Sequence, residues 1–276
     1  MAKQMLKEKG IFVKVVTTLH GTDITLVGSH PTYKTAVEFS INNSDVVTAV
    51  SNNLKETTNS LFNINKEIEV VYNFIDTEKY HKAEDEECKR AALAEPEERI
   101  ITHISNFRPV KRILDVVKVF YEIQKEIPSK LLLIGEGPER KKAEQLTKKL
   151  GIKNNVFFLG NSTEIDKILC YSDIFLLPSQ TESFGLAALE AMAAKTAVIS
   201  TNTGGLPEVN IHGKTGYLSD LGDIEDMSKN AISILKDDGI LNQFKQNAKE
   251  HTKRFSLQNI VPVYEDIYKS CYKSKV

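Results

Sequence analysis

Two carboxylates separated by seven residues, Glu182 and Glu190, lie in the segment TESFGLAALEAMA. An apolar strand precedes them. Glu182 sits in the loop that leaves it, and Glu190 lies on an Ala-rich helix opened by Ser183, Phe184, Gly185 and Leu186, with Ser183 as the expected N-cap. Free amides and the dipole at a helix start attract an anion. Gly185, and later Gly204-Gly205 before Pro207-Glu208, leave bare backbone that a ligand can approach. Glu190 falls on the face that must pack inward, where a carboxylate needs donors such as sugar hydroxyls. The set suits a sugar joined to a phosphate: amides for the anion, carboxylates for the hydroxyls. The alternative is structural, with Gly185 making room for the helix on its strand.

A second group follows an earlier strand: Ser105-Asn106-Phe107-Arg108-Pro109-Val110-Lys111-Arg112. Loops at the carboxyl edge of a parallel sheet are where ligands collect. Arg108 and Lys111 are spaced to reach a diphosphate from one loop, and cations at a helix start oppose the dipole unless an anion is near. Gly135-Glu136-Gly137-Pro138 also leaves a strand; it lacks the third glycine of a dinucleotide fingerprint and reads as a loop over a nucleobase or a plain turn. His20, in His20-Gly21-Thr22-Asp23, is an imidazole at a strand end, where a structural role is the commoner one. No Asp-x-Asp metal site, nucleophile elbow or complete P-loop occurs, and no side chain stands out as a covalent nucleophile.

The elements that position these residues alternate. In the first part, strands are expected at residues 11–17, 46–50 and 69–72 and a helix at 31–43; Ser51 caps another helix from Asn52. Residues 76–98 read as a linker, with a charged stretch at 79–98 and a short helix around Cys88 to Leu93. Strands then fall at 100–105, 130–134, 156–159, 174–177 and 197–200. Between and after them lie helices at 110–127, 139–150, 165–171 and 186–194, and from Asp223, Gly239 and Leu257. Short apolar strands alternating with helices imply an α/β protein with parallel sheets. Residues 99–255 make a full doubly wound domain of roughly 150 residues. Residues 1–75, joined by a last helix at 256–276, supply only two or three strands, so an N-terminal piece is expected to precede Met1.

Composition narrows the class. With 41% hydrophobic and 26% charged residues the chain is ordinary for a soluble globular protein, and a net charge of −1 favours neither nucleic acid nor an anionic membrane. Cys88, Cys170 and Cys271 match no zinc spacing and read as reduced thiols of a cytoplasmic protein; no apolar run spans a bilayer.

Together the Glu182/Glu190 pair, Thr203-Gly204-Gly205-Leu206-Pro207-Glu208, the Gly135–Pro138 turn and Asn73-Phe74-Ile75-Asp76 resemble the retaining GT-B glycosyltransferases of family four, from His20 to the final helix. Within that family TTLHGTDIT, SDVVTAVSNNLKE and SNFRPVKR are most similar to the bacillithiol-pathway members that join N-acetylglucosamine from UDP-GlcNAc to L-malate. The resemblance implies two Rossmann-like domains, a UDP-sugar donor, a small acceptor and no resident cofactor or metal. It implies that Glu190 holds the ribose hydroxyls and Glu182 the sugar ring, with amides of Ser183, Phe184, Gly185 and Leu186 near the diphosphate. Gly135 would lie at the donor, Arg108 and Lys111 on the leaving phosphate, and His20 near the sugar's 6-hydroxyl.

The family's Gly-Arg-Leu is replaced here by Ser105-Asn106-Phe107, with Arg108 two places later. Metal stimulation and oligomeric state are left open, a homo-oligomer being compatible. Other readings are a family member with another acceptor, a UDP-sugar-binding module without turnover, and an epimerase on a related fold.

Overall fold

The computed structural model describes residues 2–28, 30–80, 90 and 93–273 of the 276. The chain divides into two compact units, residues 1–74 with 255–276 and residues 75–254. The expected helix around Cys88 falls almost wholly outside the described residues.

In the first unit, strands β1 (Val16–Leu19), β2 (Val46–Ala49) and β3 (Ile68–Val70) form a parallel sheet in that order. Helices α1 (Ala2–Glu8), α2 (Pro31–Asn42) and α3 (Asn52–Leu61) accompany them. The Ser51 hydroxyl accepts the Leu54 amide at 3.0 Å and starts α3 as expected. The first strand is shorter than its β-branched run. Residues 11–15 lie outside it, and Ile11 and Phe12 are half exposed. The reason is pairing: β2 opens at Val46, which partners Val16, and the Asp45 carboxylate takes the Val15 amide at 2.8 Å. A strand without a neighbour has no ladder, whatever its propensity. The last helix, α11 (Leu257–Lys273), places Ile260 and Ile267 against Val71, with Val16, Val46, Tyr72 and Tyr264 around them.

The second unit holds a six-stranded, all-parallel sheet. Its strands are β4 (Arg99–Ile104), β5 (Ser129–Ile134), β6 (Val156–Gly160), β7 (Ile174–Leu177), β8 (Ala197–Thr201) and β9 (Gly216–Ser219). The order is β6-β5-β4-β7-β8-β9, so the sequence order reverses between β4 and β7. Helices α4 (Ile113–Gln124), α5 (Arg140–Lys149), α6 (Ile165–Cys170), α7 (Leu186–Ala193), α8 (Leu206–Val209), α9 (Ile224–Leu235) and α10 (Asp238–Thr252) complete it. Alternate residues point to opposite faces. Ile101, Leu131, Leu133, Ile174 and Leu176 join the core under α4 and α9, whereas Ile100, Leu132 and Ile134 pack with Ala94 and Ile168. Burial of both faces explains runs such as Leu131 to Ile134, which do not alternate with polar residues.

Three elements of this unit depart from expectation. The fourth helix begins at Ile113, not Val110: residues Pro109–Lys111 form a 3-10 turn, and Arg112 breaks the path with φ 51°. Strand β9 and the short α8 are not among the elements expected from the sequence.

Candidate active site

The strand order reverses between β4 and β7, and doubly wound sheets place ligands at the carboxyl ends of the strands at such a point. The two loops that carry the candidate residues leave these strands. From the first, Lys111 Nζ reaches Glu182 Oε1 in the second at 2.6 Å. The Ser179 hydroxyl donates to the same oxygen at 2.8 Å. Both charges are largely shielded, with side-chain exposures of 23% and 14%. Arg108 is exposed, and among the described residues its side chain has no ion-pair partner. The neighbouring Arg112 is paired with Asp115, which also takes Lys118 at 3.0 Å. The loop therefore presents one unpaired guanidinium and one ammonium held by an exchangeable carboxylate.

Glu190 is half-buried on α7. Burial pushes its carboxyl up from the usual range, partly offset by the Lys79 charge and a hydrogen bond from the Tyr80 hydroxyl. Tyr80, 5% exposed, is itself raised by burial and by the Glu190 charge. The hydroxyl donor expected for Glu190 is thus supplied by a tyrosine in the chain's own linker.

The start of α7 differs from expectation. Its N-cap is Gly185 and not Ser183, and no side chain caps it. Gly185 has φ 101°, in the region that favours glycine, and an added Cβ would stand 2.7 Å from Leu206 Cδ2. Phe184 is buried, 1% exposed, and Leu186 is exposed at 43%.

The remaining glycines answer to backbone. A Cβ on Gly204 would lie 2.0 Å from the Glu182 carbonyl oxygen, and that carbonyl accepts the Gly205 amide at 2.8 Å. A Cβ on Gly135 would lie 1.8 Å from the Ser105 carbonyl oxygen. Both glycine turns clamp the loops carrying Glu182 and Ser105; the bare backbone is met by protein.

His20 belongs to the first unit and directly follows β1. Its amide and that of Gly21 are taken by the Asp23 carboxylate at 3.3 and 2.7 Å. Among the described residues no cluster of His, Cys, Asp and Glu could hold a metal ion, and no helix is long and apolar enough to cross a membrane. Cys170 is partly buried and Cys271 buried, and neither forms a disulfide among the described residues; Cys88 lies outside them.

Two participants are not marked in the sequence: Ser179 and Tyr80. Ser179 has one signal, its place just beyond an apolar strand. Tyr80 lies in a charged stretch without periodicity.

Comparison with known proteins accords with this geometry. Residues 84–251 match the profile described as Glycosyl transferases group 1, and residues 5–79 that of Glycosyltransferase Family 4. The N-acetyl-alpha-D-glucosaminyl L-malate synthase of Bacillus anthracis is 46% identical over 269 residues, which cover 97% of this chain and 70% of that protein. The 2-deoxystreptamine N-acetyl-D-glucosaminyltransferase of Niallia circulans is 30% identical over 159 residues, 55% of this chain and 41% of that protein. Among solved structures, Anabaena HepE in complex with UDP superposes with a TM-score of 0.85 at 20% identity, over 98% of this chain and 75% of that one. WaaG, a glycosyltransferase involved in lipopolysaccharide biosynthesis, has a TM-score of 0.76 at 15% identity, over 96% and 80%. With one family profile matched over more than half of its length and a 46% identical relative along almost all of it, the chain belongs to the group 1, family 4 glycosyltransferases and carries their GT-B type of α/β fold.

Proposed function

We propose that this chain transfers N-acetylglucosamine from UDP-GlcNAc to L-malate with retention of configuration, in the cytoplasm, as a step of bacillithiol biosynthesis. One observation carries the donor side of the reading: the Lys111–Glu182 pair stands where the strand order reverses, with Glu190 eight residues further on. The acceptor side is supported by the 46% identity to the Bacillus anthracis synthase.

In this reading Glu190 exchanges its Tyr80 bond for the two ribose hydroxyls. The first amides of α7, opened by Gly185, face the diphosphate. Arg108 and Lys111 bind its oxygens. Glu182, released from Lys111, accepts from hydroxyls of the sugar ring. The C1–O bond to the diphosphate breaks as an oxocarbenium-like centre develops. The malate hydroxyl bonds to C1 on the face the phosphate leaves, and its proton passes to a departing phosphate oxygen. No protein nucleophile is needed; the chain's main task is to stabilise charge growing on the leaving diphosphate. Arg108 and Lys111 suit that task because their attraction strengthens as the bond breaks.

A product assay tests this: UDP release and a malate glycoside, with α configuration by NMR, are expected from UDP-GlcNAc and L-malate. Transfer to other hydroxy acids or sugars in place of malate would overturn the acceptor assignment. UDP binding without transfer to any acceptor would favour a binding module.

A further inference from the structure

The ladder between β4 and β7 pairs Ile101 with Ile174 and Thr102 with Phe175 and goes no further. At the next residue of each strand a side chain takes over. His103, 0% exposed, brings Nδ1 to 2.8 Å from the Leu176 carbonyl oxygen. Its Nε2 lies 2.8 Å from the Ser105 hydroxyl, which lies 3.3 Å from the Phe107 amide. The directions follow from chemistry. A carbonyl can only accept, so Nδ1 carries the ring proton. Burial holds the imidazole pKa down at about 4, with the Lys111 charge acting in the same direction, so the ring is neutral and Nε2 can only accept. The Ser105 hydroxyl must then donate to Nε2, which leaves its oxygen to accept from Phe107 N–H.

The last residue of this relay has an unusual backbone. Phe107 is buried, is not glycine, and has φ 39°. Its ring stacks on His103 at 6.3 Å between centroids, and its carbonyl accepts the Glu139 amide at 3.1 Å. Arg108 comes next, and Lys111 one 3-10 turn later. The left-handed step at Phe107 thus sets where the chain goes after β4.

We propose that His103 is a positioning residue for the donor phosphates: through Ser105 it holds Phe107 in its left-handed conformation and so aims Arg108 and Lys111. This rests on the donor-site reading above. His103 touches no reacting atom. It converts the spread between the two central strands into a fixed direction for the phosphate-facing loop.

Two measurements test it. Long-range 1H–15N correlation of histidine side chains should show His103 protonated on Nδ1, the minor tautomer of free histidine, with Nε2 as an acceptor. In Ser105→Ala the Nε2 shift should lose its hydrogen-bonded character. Calorimetry should show that Ser105→Ala weakens UDP binding about tenfold or more while uridine, which lacks phosphate, binds within about twofold of wild type. Ser105→Thr, which keeps the hydroxyl, should restore UDP affinity. An Nε2-protonated His103, equal loss of UDP and uridine, or full UDP affinity in Ser105→Ala overturns the proposal while leaving the donor reading intact. A wild-type chain that binds no UDP overturns the donor reading and, with it, this role for His103.

Discussion

Replacing Lys111 by alanine separates what the Lys111–Glu182 pair does for the fold from what it does for the donor. The substitution removes a charge-assisted contact of 2.6 Å from Glu182, which keeps the Ser179 hydroxyl at 2.8 Å. Leaving that shielded carboxylate short of a partner costs about 1–3 kcal/mol of stability. The same substitution removes a phosphate contact. A hydrogen bond to a charged group contributes about 1.5–3 kcal/mol, a fall in UDP affinity of about 10- to 150-fold.

The partner variant has the opposite sign. In wild type the ammonium must leave Glu182 to reach a phosphate, so the carboxylate competes with UDP. Glu182→Gln weakens that competition, and UDP should bind up to about tenfold more tightly even though sugar transfer falls. In the double variant the stability cost of Lys111→Ala should largely disappear, because no carboxylate is stranded. UDP affinity should stay as low as in Lys111→Ala alone. Titration calorimetry with UDP and uridine, beside urea unfolding of all four proteins, reads both cycles. UDP affinity of Lys111→Ala within twofold of wild type would refute the phosphate assignment. Glu182→Gln that binds UDP as weakly as Lys111→Ala would show that the pair supports the site instead of competing for it.

Other predictions concern the rest of the second unit. Glu190→Gln should lower UDP affinity about 10-fold or more, yet leave the unfolding midpoint unchanged or higher, because burial already disfavours the Glu190 charge; a lower midpoint with normal UDP binding would contradict both. Gly204→Ala combines φ 59° with a Cβ 2.0 Å from the Glu182 carbonyl oxygen. It should cost about 2–3 kcal/mol, roughly 5–10 °C in Tm, and turnover should fall with it; an unchanged Tm by calorimetry would show that the clamp is dispensable. The buried Asp173 is bonded by Arg90 and Lys245, each at 3.1 Å, and by the Ile100 amide at 2.9 Å. Burial alone would raise its carboxyl, but these partners outweigh it and hold the pKa below 3.8. Because the folded carboxyl is the more acidic one, its contribution is complete above the unfolded value and is lost as pH falls through the folded one. Asp173→Asn should therefore cost about 3 kcal/mol in urea unfolding at pH 7, and the gap to wild type should close below about pH 4.

The helices and central strands of the second unit were readable because their causes are local or periodic. Residues Leu131 to Ile134 are apolar without interruption because both faces are covered, and Ser51 signals a cap wherever it is placed. Glu182, Glu190, Lys111 and Arg108 could be singled out from type, spacing and position after a strand. Where reading failed, the deciding partner was distant in sequence. The run from Ile11 to Lys14 has strand propensity but no neighbouring strand, because β2 opens at Val46. β9 opens on a glycine amid turn-forming residues and becomes a strand through pairing with Val198 to Thr201. Ser183 has the side chain of a cap, yet Gly185 takes that place because the chain turns left-handed beside Leu206.

The sequence by itself determined the chemistry on offer: two acids around a helix start, two cations on a loop after a strand, and a family pattern that joins them. Spacing along one chain was enough, since each group lies within a single strand–loop–helix step. Only the tertiary structure decided how those groups are set. Lys111 meets Glu182 across 71 residues, Tyr80 covers Glu190 from the linker, and His103 ties β4 to β7 where their ladder ends. The Lys111–Glu182 and His103–Leu176 bonds join segments that the pairing of β4 with β7 brings together, and nothing local to either partner encodes them.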